Sequence, residues 1–328
     1  MKTLIKNFPQ QLEAAINIGQ QATLTPVEDE IRNIVVAGLG GSGIGGDLAK
    51  QWLAQKLAIP MEVQKDYFLP AYVNQYTLLI ISSYSGNTEE TIHALEEGLR
   101  KRAKIVCITS GGKIKAVAEK KQLDHILLPG GMPSRSCLGY SVVQQLFVIH
   151  FYQSIQWDFV AELAASIQLL TKEQGAIQAA AQQLATKLKD KLPIIYTAAP
   201  YEAVAIRFRQ QLNENSKKLC WHHIFPEMNH NELVGWRDRN EQLAVVMLRN
   251  TSDYPSLQAR MEFSKKIFQP HTSTILELYA KGSTQLARSF YLIHLCDWAS
   301  YYLAQHYGVD PTEVAVIEQL KASLERLD

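Results

Sequence analysis

Ser82-Ser83-Tyr84-Ser85-Gly86-Asn87-Thr88-Glu89-Glu90-Thr91 comes directly after the apolar run Thr77 to Ile81 and just before a stretch with helical apolar spacing. A short apolar run that stops at turn residues reads as a buried parallel strand, so this segment is a strand-to-helix loop. Its hydroxyls gather at a helix N-terminus, where free backbone N–H groups and the positive end of the helix favour an anion. Ser83, Ser85 and Thr88 can add side-chain donors to those amides, a combination suited to a compact dianion such as phosphate. The plainer reading is a helix cap, with Asn87 or Thr88 capping and Glu90 or Thr91 in the first turn.

Working outward, Asn33 to Ala37 is a second β-branched apolar run, and Met61 to Gln64, Lys104 to Ile108 and His125 to Leu128 supply further strands. Helical spacing separates them, beginning with Ile44 to Leu57, which predicts a doubly wound α/β domain. Ser141 to Ser154 reads as its closing helix, and Ala161 to Lys191, rich in Ala and Gln, as a helical connector. After Pro193 the pattern recurs in shortened form, with strands at Ile194 to Thr197, Leu243 to Leu248 and Thr274 to Tyr279. Long helices follow at Gln285 to Tyr307 and Thr312 to Leu327. The expected organisation is a first domain over 1–155, a connector over 156–192 and a second, related domain over 193–328.

Gly38-Leu39-Gly40-Gly41-Ser42-Gly43-Ile44-Gly45-Gly46-Asp47 follows the first strand and predicts a second phosphate cradle, in which glycines let the backbone approach a ligand. Gly38, Gly40 and Gly43 also satisfy G-x-G-x-x-G, and Asp66 ends the next strand where a dinucleotide enzyme holds a ribose. An NAD(P)-dependent oxidoreductase is therefore a rival reading, against which the serine loop speaks. Composition narrows the rest. The 33 basic and 32 acidic residues nearly cancel, so no broad surface for nucleic acid or an anionic membrane is implied. No apolar run reaches the ~20 residues needed to span a bilayer. Met1 to Gln20 mixes Lys2, Lys6, Gln10, Gln11 and Glu13 among its apolar residues, unlike a signal peptide, and a cytoplasmic location is expected. The 4 cysteines, Cys107, Cys137, Cys220 and Cys296, lack paired spacing and fit free thiols. Cys220, His222 and His223 match no common closed zinc site, so no metal is expected.

With these segments in hand, the chain resembles the sugar isomerase (SIS) domain family and, within it, the bifunctional phosphoglucose/phosphomannose isomerases. The resemblance rests on Gly38 to Asp47, Ser83 to Thr91, Pro133-Ser134-Arg135, Asn213-Glu214-Asn215 and Met228-Asn229-His230-Asn231-Glu232, in that order. It implies two flavodoxin-like SIS domains, each a mostly parallel sheet flanked by helices. It also implies an aldose–ketose isomerase that interconverts fructose 6-phosphate with glucose 6-phosphate and mannose 6-phosphate through an enediol(ate). A non-catalytic SIS module that binds a phosphosugar and regulates a partner is the alternative from another class, and it has no use for Glu214 and His230.

Such chemistry needs a base for a carbon-bound proton, a group that opens the ring, and a cation or donor facing the enediolate oxygen. A tuned carboxylate can be the base, and the resemblance places that role on Glu214, which spacing alone reads as a solvated charge at a helix end. Histidine exchanges protons near neutral pH. The resemblance makes His230 the ring-opening acid/base and has it donated across a homodimer interface. Arg135 could face the developing oxyanion. Lys321 matches the family lysine assigned to the ring oxygen, although its spacing alone reads as a solvated helix face. The resemblance ties mannose 6-phosphate to a threonine before the last helix, where Thr312 is nearest. Substrate contacts are expected from Gly41, Ser42, Ser83, Ser85, Thr88, Arg135 and Thr312, with a phosphorylated hexose as partner and no cofactor.

Overall fold

The computed structural model describes residues 1–324, so the expected helix end at Leu327 lies outside the described residues. The chain forms two compact units: Lys6–Thr171 with Ser283–Ala287, and Met1–Ile5 with Lys172–Gly282 and the stretch from Arg288 onward. In chain order, α1 (Lys2–Lys6) and α2 (Phe8–Gln21) precede β1 (Asn33–Ala37), α3 (Gly40–Leu53), β2 (Met61–Gln64) and β3 (Thr77–Ser82). There follow α4 (Glu89–Arg100), β4 (Lys104–Thr109), α5 (Gly112–Lys121), β5 (Asp124–Leu127) and α6 (Leu138–Gln153). The 5 strands are all parallel in the order β2-β1-β3-β4-β5.

This is the flavodoxin-type order. The chain turns from one side of β1 to the other, and a crevice opens beyond the carboxyl ends of β1 and β3. β3, Thr-Leu-Leu-Ile-Ile-Ser, is buried along its whole length because helices cover both faces of the sheet. On one face Val35, Ala37, Leu79, Ile81 and Ile105 pack with Ala94 and Leu95 of α4 and Ile114 and Ala118 of α5. Cys107 lies in the same layer, where burial pushes its thiol up to about 12 and makes it a packing group.

α7 (Phe159–Leu188), 30 residues long, carries the chain to β6 (Leu192–Ala198), α8 (Glu202–Ser216) and β7 (Trp221–Phe225). Then come β8 (Leu243–Arg249), α9 (Pro255–Phe268), β9 (Ile275–Tyr279), α10 (Gln285–Tyr307) and α11 (Ala315–Leu324). The second sheet is parallel in the order β7-β6-β8-β9. β7 was not expected from the sequence. It is an edge strand, Trp-His-His-Ile-Phe, in which only Phe225 is buried, so it carries none of the apolar continuity of β6 and β8.

Within this unit α8 and α10 are tied by a buried polar network. Arg207 Nη2 meets Asp297 Oδ2 at 2.6 Å, Gln211 Nε2 donates to Asp297 Oδ1 at 3.1 Å, and Asn215 Nδ2 donates to Ser300 Oγ at 2.9 Å. Ser216 Oγ donates to the Ser300 carbonyl at 2.6 Å. Arg207, Gln211 and Asn215 are spaced by four, so one face of α8 supplies all three. Burial raises the Asp297 carboxyl above its ordinary range despite Arg207 and Gln211 beside it.

Candidate active site

The glycine-rich segment differs from its expected form. Helix α3 begins at Gly40, so only Gly38 and Leu39 are a true loop, and Ser42 to Asp47 are already helical. The amides of Ser42 and Gly43 close on the Leu39 carbonyl at 3.1 Å. The glycines serve close packing as well as ligand approach. A Cβ on Gly41 would stand 2.9 Å from the Ser134 carbonyl and 3.4 Å from the Arg135 Cα, so this glycine lets the Arg135 segment lie directly on the first turn of α3. Asp66, the ribose candidate of the dinucleotide reading, is exposed and accepts from the Tyr67 amide at 2.7 Å.

The serine loop sits beyond β3, across the crevice from α3. Thr88 occupies the N-cap position of α4 yet makes no capping bond; its hydroxyl instead meets Ser83 Oγ at 2.9 Å. Ser83 is buried and also accepts from the Gly86 amide at 3.2 Å, while Ser85 is exposed and accepts from the Asn87 amide at 3.2 Å. Gly86 has φ +69°, and a Cβ there would fall 1.8 Å from the Gly111 carbonyl. The loop is thereby clamped against the one after β4.

Two residues that the sequence reading passed over hold this arrangement together. The Tyr84 amide donates to Ser42 Oγ at 3.3 Å, and its carbonyl accepts from Ser110 Oγ at 2.6 Å. Its hydroxyl donates to the Pro129 carbonyl at 2.8 Å and accepts from the Met132 amide at 3.2 Å. One tyrosine thus joins the segments that follow β1, β3, β4 and β5; burial pushes its phenol up to about 12, so it stays protonated as a donor. Gln145, fully buried on α6, donates to the Ser42 carbonyl at 3.2 Å, Ser82 Oγ at 3.3 Å and Ser141 Oγ at 3.2 Å. A Gln-Gln pair inside the apolar run of α6 was the signal for it. Arg135 lies in a single 3₁₀ turn, Ser134–Ser136, and is only 5 % exposed, unlike a surface arginine. Gly41, Ser42, Ser83, Thr88 and Arg135 therefore gather around one crevice, with Ser85 on its outer side.

The remaining candidates belong to the other unit. Glu214 is half-buried in the last turn of α8, which ends at Lys217 with φ +57°. Lys217 Nζ donates to the Glu214 carbonyl at 2.5 Å and to the Glu313 carbonyl at 2.6 Å, tying the end of α8 to the segment before α11. Glu214 lines a cavity of about 320 Å3 with Asn213, Leu219, Val314 and Ile317. Thr312 lies beside that segment, exposed, with its amide donating to Asp310 Oδ1 at 2.8 Å. Lys321 is exposed on α11.

His230 ends a 3₁₀ turn, Glu227–His230, and its side chain is exposed with no bonding partner among the described residues. The residues around it are anchored. Met228 is buried, Asn229 Nδ2 donates to Ser264 Oγ at 2.9 Å, and Asn231 Nδ2 donates to Glu227 Oε1 at 2.8 Å. Among the described residues no His, Cys, Asp and Glu side chains form a metal-binding group. His223 instead meets Glu232 Oε2 through Nδ1 at 2.6 Å, and burial, with Arg209 and His223 nearby, lowers His222 to about 4.

The second sheet has its own crevice, beyond β6 and β8, filled by its own side chains. Asn250 Nδ2 and Arg288 Nε both donate to Tyr201 Oη, at 2.8 Å and 3.0 Å, and Asn250 Nδ2 reaches Asp253 Oδ1 at 3.3 Å.

Comparison with known proteins agrees with this division. Residues 30–153 match the SIS domain model, and residues 177–324 match the model of the bacterial phospho-glucose isomerase C-terminal SIS domain. A bifunctional phosphoglucose/phosphomannose isomerase of Caldicellulosiruptor bescii is 39% identical, covering 98% of this chain and 97% of that protein. The enzyme of the same name from Aquifex aeolicus is 34% identical over 90% of this chain and 91% of its own. The crystal structure of a hypothetical protein from Thermus thermophilus shares the fold, with a TM-score of 0.79 at 16% identity, covering 98% of this chain and 89% of that one. No described helix is long and apolar enough to cross a membrane. The chain is a two-domain SIS isomerase of sugar phosphates and belongs to the bifunctional phosphoglucose/phosphomannose isomerase family.

Proposed function

We propose that the protein interconverts fructose 6-phosphate with glucose 6-phosphate and mannose 6-phosphate, in the cytoplasm and as a homodimer. The observation that carries this reading is the cradle at the crevice of the first sheet. Ser83, Thr88 and the first turns of α3 and α4 offer hydroxyls and amides to a phosphate dianion, and Tyr84 holds the two cradle segments in register through Ser42. The relatives named above support the choice of hexose phosphates.

In the open-chain aldose, Glu214 takes the proton from C2 and returns it to C1 while the hydroxyl proton passes from O2 to O1. The proton leaves and returns within one substrate, so the reaction has no net redox change and calls on no cofactor. Arg135 faces the enediolate oxygen, where its fixed charge lowers the barrier by a few kcal/mol. His230, supplied by the partner protomer, moves the ring-opening proton together with Lys321 at the ring oxygen. The exposure of His230 on an anchored turn supports its acting outside its own subunit. Thr312 accommodates rotation about the bond next to C2, so that either face receives the proton and mannose 6-phosphate forms.

The test is turnover of fructose 6-phosphate by purified protein in chelator-treated buffer, with glucose 6-phosphate and mannose 6-phosphate read by separate coupled assays. Both products are expected. Glucose 6-phosphate alone would remove Thr312 from its role, and binding without turnover would favour a regulatory phosphosugar-binding module.

A further inference from the structure

Glu232 has no part in the chemistry above, yet its carboxylate takes three donors. Tyr196 Oη and Trp221 Nε1 both reach Oε1, the second at 3.4 Å, and His223 Nδ1 meets Oε2 at 2.6 Å. Tyr196 is fully buried in β6, and Trp221 and His223 lie on β7, so the carboxylate is fixed to two strands of the sheet. Trp236 Nε1 donates to Tyr196 Oη at 3.2 Å, extending the network to the far end of the same loop, and the Trp236 ring packs on Phe268 at 4.6 Å. On the other side of His230, Met228 is buried and Asn229 is bonded to α9 through Ser264.

We propose that Glu232 is a positioning residue for His230. The exposed imidazole has no hydrogen-bond partner among the described residues to orient it, so its place is set by its backbone turn. That turn is held at Asn229 on one side and at Glu232 on the other. A carboxylate taking charge-assisted hydrogen bonds from three rigid aromatic groups is a firm anchor of this kind. Removing it frees the downstream side of the turn, and a misplacement of about 1 Å can cost on the order of 10²-fold in rate. The proposal rests on the ring-opening role of His230, and the experiment separates the two.

Ring opening alone interconverts the α and β anomers of glucose 6-phosphate, which exchange spectroscopy reads without isomerisation. Glu232→Ala, Tyr196→Phe, His230→Asn and wild-type protein would be compared for anomerisation and for inhibition by 6-phosphogluconate, an acyclic sugar-acid phosphate that needs no ring opening. Glu232→Ala is expected to lose anomerisation on the order of 10²-fold, approaching His230→Asn, with the inhibition constant for 6-phosphogluconate held within about twofold. Tyr196→Phe, which keeps the ring and removes one donor, should show a smaller loss with the same unchanged inhibition, and it decides the matter if Glu232→Ala does not fold. Wild-type anomerisation in folded Glu232→Ala, or in Tyr196→Phe where that variant decides, overturns the proposal. So does an equal loss of anomerisation and inhibitor binding, which marks a general structural role. Wild-type anomerisation in His230→Asn overturns the ring-opening reading itself and the positioning role with it.

Discussion

Asp297→Ala tests the α8–α10 network directly. The substitution leaves Arg207, 3 % exposed, without its carboxylate at 2.6 Å and deprives Gln211 of an acceptor at 3.1 Å. Breaking a buried pair by removing one partner costs about 3–5 kcal/mol, mostly because a desolvated charge loses its compensation. With a urea slope of about 2–3 kcal/mol per molar, the transition of this unit should move down by about 1.5 M. Trp298, fully buried on α10 one residue beyond the substitution, provides the fluorescence signal. Replacing both partners, as in Arg207→Met with Asp297→Leu, should recover most of the loss, since an apolar pair of similar volume carries no desolvation penalty. A midpoint shift below about 0.3 M for Asp297→Ala would refute the argument, because it would equate this pair with an exposed one worth about 0–1 kcal/mol.

Glu214→Gln should abolish exchange of the C2 proton with solvent while leaving phosphosugar affinity nearly unchanged, since the proposed phosphate cradle is on other loops; lost affinity with normal turnover would remove Glu214 from the base role. Gly86→Ala places a methyl 1.8 Å from the Gly111 carbonyl at φ +69°, so the serine loop must move. The Michaelis constant for fructose 6-phosphate should rise, and an unchanged constant would show that the loop does not bind substrate. His294, fully buried on α10 and accepting from Trp298 Nε1 at 3.3 Å, is lowered by burial to about 4. Its unfolded form, near 6.5, takes up a proton first, so stability is full above pH 6.5 and falls as pH drops from there toward 4. Chemical denaturation between pH 7 and 4.5 should show that slope, and His294→Gln should reduce it, leaving the part that His222 supplies.

Most strands could be read from sequence because buried parallel strands are continuous apolar runs. Asn33 to Ala37 and Met61 to Gln64 fall where expected, and so does the long helix Gln285–Tyr307. β7 could not be read so, since a half-exposed edge strand with two histidines carries neither the alternation nor the continuity that marks a strand. The glycine run misled by its composition. Glycine is a poor helix former, yet here it lets Ser134 and Arg135 approach the first turn of α3, a demand set by tertiary neighbours that local propensity does not register. Tyr84, Gln145 and Glu232 act by bridging separate segments of the chain, Glu232 through Tyr196, and only the folded arrangement reveals such partners.

The filled crevice of the second sheet bears on stoichiometry. The two halves share a strand order around their crevices, but in the second Asn250 and Arg288 both donate to Tyr201 Oη, Asn250 also reaches Asp253, and Arg288 Nη1 donates to the Gly282 carbonyl. An incoming phosphate there would have to break those bonds and face the Asp253 carboxylate, whereas the first crevice presents hydroxyls and helix ends. Duplication of the fold has thus produced two topologically similar crevices of opposite chemical character. A calorimetric titration with a hexose phosphate should saturate at one molecule per chain.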